Sequence, residues 1–420
     1  MQKKIIALAV AGLSTAAFAQ TNVTIYGVAD VSAQGYNMAS GKALATSGGN
    51  IAQGGSFNLT NNSSLIGFKG TEALGNGLNG LFQIESNINI TANTAGTNNA
   101  ATYSGTSNSF SSLRDSYVGL NSKYGTALGG YLSTPYRSTL NSFDVMPGAT
   151  GVGRIENLLG NVRMNNQNMG QTTVGQGGYQ ASASVRATAI AYALPTMYGF
   201  NGSIAYTGNG NGSTNTGNNT GTLTTNLTSV TQVAPQQALS MNLGWTGYGV
   251  NIAGAYQQAK VNYAPTVTVT GGTNIANSFQ GYTSYLVGAA YTGMPGLKVS
   301  AVYGRNTIGV NSVSSSSGAA KGSNNQFYLG ASYRFGNNEP RLSWATTSNT
   351  NGLTTGQDGG RQLTANWGYY LSKRTQVYGL VSAINNNANG IWNMAGSGSA
   401  IAPTGGQNIL TYGAGLRTNF

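Results

Sequence analysis

Charged side chains are scarce in this chain of 420 residues, which holds 20 Lys and Arg against 8 Asp and Glu, yet one stretch concentrates them. Residues 133–183 carry Arg137, Asp144, Arg154, Glu156 and Arg163, with Arg114 before them and Arg186 just after. Guanidinium and carboxylate groups can pair, and they can attract or repel ions near a wall. Taken by itself, such a charge run reads as a solvated face. Covalent chemistry is harder to assemble. Cys and His are both zero, which removes the Ser-His-Asp triad, imidazole acid–base catalysis, thiolate nucleophiles, disulfides and His- or Cys-ligated metals. Eight acids leave little scope for carboxylate dyads or a calcium cage. Neither an enzyme nor a cofactor is implied.

The elements that must position these charges show in the composition. Charged residues make up 7% of the chain, whereas about 25% is usual for a soluble domain, while Gly reaches 63 and Tyr 24. An aromatic share of 9% argues against disorder. Lys3 and Lys4, the apolar run Ile5 to Gly12 and the small-residue site Ala17-Phe18-Ala19 make residues 1–19 a secretory leader, to be cleaved before Gln20. The remaining chain, 20–420, then carries 18 basic and 8 acidic groups, a net charge of +10. Beyond the leader no run of 18 apolar residues occurs, so any passage through a membrane must use strands.

Strand patterning is plain. Leu239, Met241, Leu243 and Trp245 alternate with Ser240, Asn242, Gly244 and Thr246; Phe327, Leu329, Ala331 and Tyr333 alternate with Tyr328, Gly330, Ser332 and Arg334. A strand sends alternate side chains to opposite faces, so each segment has one apolar and one polar face. By this period Lys69, Glu85, Lys298 and Arg334 lie on the polar face. Such alternation suits a half-buried soluble sheet as well as a barrel wall, and the connections arbitrate. Seven tight turns, around 73–77, 122–124, 195–197, 247–248, 293–295, 336–338 and 372–374, alternate with eight long polar spans. The spans are 35–61, 91–111, 133–183, 208–236, 260–281, 306–324, 348–360 and 386–407. They join 16 strands. Short turns at one end and long loops at the other mark outer-membrane barrels. Tyr198, Trp245, Tyr248, Tyr333, Phe335, Trp344, Tyr369 and Tyr370 sit beside the short turns, where an interfacial girdle belongs. The Gly-rich stretch 201–226 precedes no helix, and Gly41-Lys42 lacks the rest of a phosphate loop, so neither binds nucleotides. Basic residues are spread along the chain, which argues against nucleic acid.

Two segments point to a family. Residues 62–85, NSSLIGFKGTEALGNGLNGLFQIE, and residues 114–136, RDSYVGLNSKYGTALGGYLSTPY, resemble the trimeric general porins of the Gram-negative outer membrane, in their neisserial/β-proteobacterial branch. The segments 23–30 (VTIYGVAD) and 370–375 (YLSKRT), and Gly415-Leu416-Arg417 with Phe420, extend the resemblance along the chain. It implies an all-β, 16-stranded antiparallel transmembrane barrel with short periplasmic turns and long external loops. Residues 133–183 would be a loop folded into the barrel to narrow it. Asp144 and Glu156 on that loop would then face Arg114 and Arg186 on adjoining strands across a constriction, with Arg137, Arg154 and Arg163 beside them. Arg114 lies in phase with Val118 and Leu120, so its inward direction rests on the resemblance. Lys69, Glu85, Lys298 and Arg334 would line the pore, and Phe420 would be the signal read by the barrel-assembly machinery.

The same resemblance implies a homotrimer among outer-membrane lipids and lipopolysaccharide, passing small hydrophilic solutes and ions by passive diffusion. Three departures bear on selectivity: Leu65, Gly130 and Ala191 stand where the family carries arginine, and Thr418 where its ending usually has His. With the basic wall thinned, mild anion preference is the expectation. A solute-specific channel is the first alternative, and a surface-exposed adhesin or structural barrel the second.

Overall fold

The computed structural model describes residues 22–39, 56–91, 110–146, 151–164, 179–208, 237–260, 278–311, 320–351, 356–394 and 406–420. The leader residues 1–19 lie outside them. The chain forms β1 (Asn22–Ala39), β2 (Ser56–Asn61), β3 (Leu65–Gly75), β4 (Leu78–Ile88), β5 (Phe110–Leu113), β6 (Ser116–Ser122) and β7 (Gly125–Ser133). There follow helix α1 (Pro135–Ser142) and the small hairpin β8 (Asn161–Met164) and β9 (Tyr179–Ser182). The wall resumes with β10 (Arg186–Ala193), β11 (Phe200–Thr207), β12 (Gln237–Gly247), β13 (Val250–Lys260), β14 (Ser278–Tyr291) and β15 (Leu297–Asn311). It ends with β16 (Ala320–Tyr333), β17 (Asn338–Thr347), β18 (Gly360–Tyr370), β19 (Thr375–Asn386) and β20 (Asn408–Asn419).

Every wall strand pairs antiparallel with its neighbours, and β20 closes on β1 from Val28↔Asn419 to Ala39↔Asn408. Segments β2 and β3 both pair with β1, and β5 and β6 both pair with β4, so each couple is one interrupted strand and the closed barrel has 16. Closure satisfies the backbone N–H and C=O groups that an open edge would leave bare in lipid. Among the described residues no helix is long and apolar enough to cross a membrane. The strands cross instead.

Side-chain direction follows the alternation. Outward positions carry Val118, Ile190 and Leu243, each at least 60% exposed, while inward positions carry buried Ser240, Ser284, Asn324 and Gln326. An apolar outside with a polar inside is the inverse of a soluble fold, and lipid is the medium that removes the cost. The turns hold, but the strands run further into the long spans than alternation reveals. β1 continues to Ala39, β2 begins at Ser56 and β15 reaches Asn311. One girdle assignment needs correction: Tyr370 points inward, donating its hydroxyl to Glu339 Oε2 at 2.6 Å beneath Arg334. It pairs in register with inward-facing Gln376, so its phase belongs to the lumen.

The described residues between β7 and β10 enter the barrel. Thr134 caps α1, its hydroxyl accepting from Arg137 N at 3.4 Å, and Pro135 opens the helix where a missing N–H costs nothing. Tyr136, Leu140, Phe143, Ile155 and Leu158 are all buried, in one cluster with inward Ala253, Tyr282, Val302 and Tyr328. Polar side chains of the far wall hold the backbone of this segment. Gln326 Nε2 donates to Leu158 O (2.9 Å) and Asn161 O (2.7 Å), its Oε1 accepts from Gly160 N (2.8 Å), and Gln362 Nε2 donates to Val152 O (2.6 Å).

Candidate functional site

Two β-bulges decide which charges face the water. Ser86 pairs with Leu113 and Gln83 with Tyr117, so Ile84 and Glu85 stand opposite three residues, Arg114, Asp115 and Ser116. The extra residue reverses the phase of the strand. Arg114, in step with outward Val118 and Leu120 by sequence count, therefore turns inward, where its Nε lies 3.4 Å from Glu85 Oε2 and its NH1 donates to Asn87 Oδ1 at 2.9 Å. The second bulge lies on β2–β3, on the other side of β4. Val31 pairs with Asn61 and Val28 with Leu65, so two residues of β1 face Asn62, Ser63 and Ser64, and Ser63 takes φ +61°. Asn62 then joins Tyr378 in donating to Asp30 Oδ1, at 3.0 and 2.6 Å, while Arg417 NH1 stands 3.4 Å from Asp30 Oδ2.

The remaining acids are held just as closely. Asp115 accepts from Ser133 N, from Ser133 Oγ (3.1 Å) and from Arg186 Nε (3.2 Å). Glu156 is paired with Arg137 and lies 3.5 Å from Arg154 NH1; Ser184 Oγ and Asn141 Nδ2 also donate to it. Burial alone would push its carboxyl up, but the two guanidinium groups and these donors outweigh it and bring Glu156 to about 2. Asp144 goes the other way. Burial raises it to about 6 despite hydrogen bonds from Ile155 N, Met146 N and Tyr328 OH, and the nearby Glu156 charge raises it further. Arg154 Nε is buried without a hydrogen-bond partner among the described residues.

A water-accessible cavity of about 270 Å³ lies between wall and loop, and Arg114, Arg137, Arg154, Arg186 and Arg417 all line it, with Leu65 among them. Of the seven charges expected here, six come together around this space: Arg114, Arg137, Asp144, Arg154, Glu156 and Arg186. Arg163 lies on β8, and its side chain is outside the described residues. Loop acids and wall arginines line the same cavity, and Arg114, Arg186 and Glu156 each also stand in a contact pair on their own side. Asp144 is turned into the loop's own backbone, and Glu156 is clamped by loop arginines.

Lys69, Glu85, Lys298 and Arg334 take different roles. Lys69 Nζ sits 5.1 Å from the Tyr26 ring centre, and Tyr26 donates to Glu85 Oε1 at 2.7 Å. Lys298 donates to Ser142 O and Asp144 O at 3.0 and 2.7 Å and so tethers the loop. Arg334 stacks 3.9 Å above Tyr370, beside the turn 334–337 at the short-turn mouth. Arg417 on the cavity wall, and Asp30 and Asp115 paired with its arginines, join the candidate site without being expected there. Arg417 carried a signal, since it falls on the polar face of an alternating strand. Asp115 carried none, because only the bulge lets two adjacent residues face inward. Gly130 has a structural reason for lacking an arginine: with φ +152°, a Cβ there would come within 2.3 Å of Ser116 O. No group of three or more acidic, Cys or His residues able to hold a metal occurs among the described residues.

A closed 16-stranded barrel with an apolar exterior, a polar interior and a charged loop seated inside defines an outer-membrane β-barrel of porin architecture. The Gram-negative porin family model matches residues 6–389, and the chain belongs to that family. It is 28% identical over 219 residues to the "Major outer membrane protein P.IB" of Neisseria gonorrhoeae, covering 51% of each chain. It is 29% identical over 211 residues to the "Outer membrane porin protein 32" of Delftia acidovorans, covering 49% of each. The chain thus spans about half the length of the curated relatives it matches. Among solved structures, an "Anion-selective porin from Comamonas acidovorans" superposes with a TM-score of 0.63 at 21% identity, over 96% of this chain and 100% of that one.

Proposed function

We propose that the chain forms a water-filled channel through which small hydrophilic solutes and ions diffuse passively across the outer membrane, with a mild preference for anions. The observation that carries this reading is the ring of five arginines around the cavity between the inserted loop and the wall. Charged groups at a narrow, low-dielectric passage act on permeating ions by sign and distance. Arg114, Arg137, Arg154, Arg186 and Arg417 supply the attraction, and their contact acids temper it. The Comamonas acidovorans porin of similar fold is anion-selective, which supports the direction. Assembly as a homotrimer, export by the leader 1–19, contact with lipopolysaccharide and reading of Phe420 by the assembly machinery complete the proposal.

Purified protein reconstituted into a planar bilayer tests it. Stepwise conductance is expected, with a reversal potential under a KCl gradient that favours chloride. A silent membrane overturns the channel, and potassium preference overturns the selectivity.

A further inference from the structure

Many of the buried apolar residues of the inner wall fall in the cluster that contains Tyr136, Leu140 and Phe143 of the inserted loop. One apolar patch stands apart. Leu132, Ala189 and Ala205 form a separate cluster, with Tyr117, Leu128 and Ala191 packed against it and no described residue of the inserted loop in it. The pairings Leu128↔Ala191 and Leu132↔Ala187 place these side chains on the inward face. They do not seat the helix, because α1 leans the other way: Tyr136 N donates to Ser240 Oγ and Asn242 donates to Thr139 Oγ1, both on β12. Between this patch and the first turn of α1, at Pro135 and Ser138, lies a cavity of about 360 Å³.

We propose that this niche is a second site of the channel, distinct from the arginine cluster, which takes neutral polyhydroxylated rings with one apolar face, pyranose sugars above all. The inference rests on the channel reading given above. Leu128, Leu132, Ala191 and Ala193 supply an apolar floor, and Tyr117, Ser133, Ser138 and Ser203 a hydroxyl-bearing rim. Small-molecule sites combine these two features in cavities of this size. Charge excludes the other classes. The one carboxylate in the lining, Asp115, is already occupied by Ser133 and Arg186, so no cation is called for. Tyr117 OH donates to Gln83 Oε1 at 3.1 Å, Ser203 Oγ to Asn242 Oδ1 at 2.7 Å and Ser133 Oγ to Asp115 Oδ2 at 3.1 Å, which leaves these three of the four rim oxygens as acceptors. An anion would meet those acceptors; a sugar hydroxyl can donate to them. An acyclic polyol has the hydroxyls but no rigid apolar face for the floor.

Single-channel current in a planar bilayer, with methyl β-glucoside or glycerol added, tests the site. Methyl β-glucoside should block current saturably, whereas glycerol should lower it only in proportion to solution viscosity. Two variants fill or polarise the floor, Ala191→Leu and Leu128→Ser, so that one remains if the other does not insert. Each should raise the half-blocking sugar concentration at least tenfold. A conducting wild-type channel that treats the two solutes alike overturns the site, as does saturable block unchanged in a conducting variant. A bilayer that never conducts overturns the channel reading itself.

Discussion

Glu156 shows how one side chain governs both the loop and the field. Two arginines and two uncharged donors converge on it, and they hold it near 2 against the opposing effect of burial. A depressed carboxyl contributes stability that is full above its ordinary range near 4.5 and is lost as pH falls through about 2. Asp144 carries the opposite sign. Raised to about 6, it contributes below its ordinary range near 3.8 and loses that contribution as pH rises through about 6. Replacing Glu156 by Gln leaves Arg137 and Arg154 without the acid they contact, a change that costs up to about 3 kcal/mol when a buried pair is broken from one side and less where water reaches the arginines. The Glu156→Gln variant should therefore unfold at lower denaturant in detergent, and its reversal potential should move further toward chloride. Unchanged selectivity would mean that this charge does not act on permeating ions.

At the scale of elements, the barrel seam and the loop anchors carry the same kind of argument. Gly27 and Phe420 exchange backbone hydrogen bonds of 2.9 and 3.0 Å where the ends of the wall meet. A Cβ on Gly27 would lie 2.4 Å from Phe420 Cζ and 2.6 Å from Leu65 O, and the backbone oxygen cannot step aside. Gly27→Ala should slow closure, read as a smaller heat-stable barrel fraction on gels after refolding. Gln326 holds the loop from the far wall by three hydrogen bonds, each worth about 1 kcal/mol net. Gln326→Leu should leave the barrel folded but loosen the loop, raising open-channel current noise severalfold. These elements differ in how far the sequence discloses them. Leu239 to Thr246 and Phe327 to Arg334 display the wall directly, because lipid on one side and water on the other impose a period of two. The alternating turn lengths disclose the strand number. The bulges at 62–64 and 114–116 do not show, since an extra residue looks like poor alternation, and so Asp115 went unseen and Arg114 needed a resemblance to be turned inward. Nor does sequence reveal which loop charges are held: Asp144 reads as a free charge until Met146 N, Ile155 N and Tyr328 OH are found donating to it.

For the whole molecule, the decisive quantity is the balance of charge where the cavity narrows, not the excess of basic groups along the chain. Arg114, Arg137, Arg154, Arg186 and Arg417 stand with Asp30, Glu85, Asp115, Asp144 and Glu156, five of each sign when all are ionised. A neutral ring of contact pairs steers weakly, so the preference proposed for this arginine-rich lining is a mild one. Asp144, raised to about 6, is the group of this ring placed to tip the balance under ordinary conditions. As pH falls from 7.5 to 5 it takes up a proton, the local sum becomes positive by one charge, and anion preference should strengthen. Screening sets where that charge can be detected, because the Debye length is about 30 Å at 0.01 M salt and about 3 Å at 1 M. Reversal potentials should therefore shift toward chloride on acidification at 0.01–0.1 M KCl and barely move at 0.1–1 M. Asp144→Asn, neutral at every pH, should show the acid-like preference at pH 7.5 and lose the shift. A shift that survives in Asp144→Asn would place the titrating charge elsewhere in the pore.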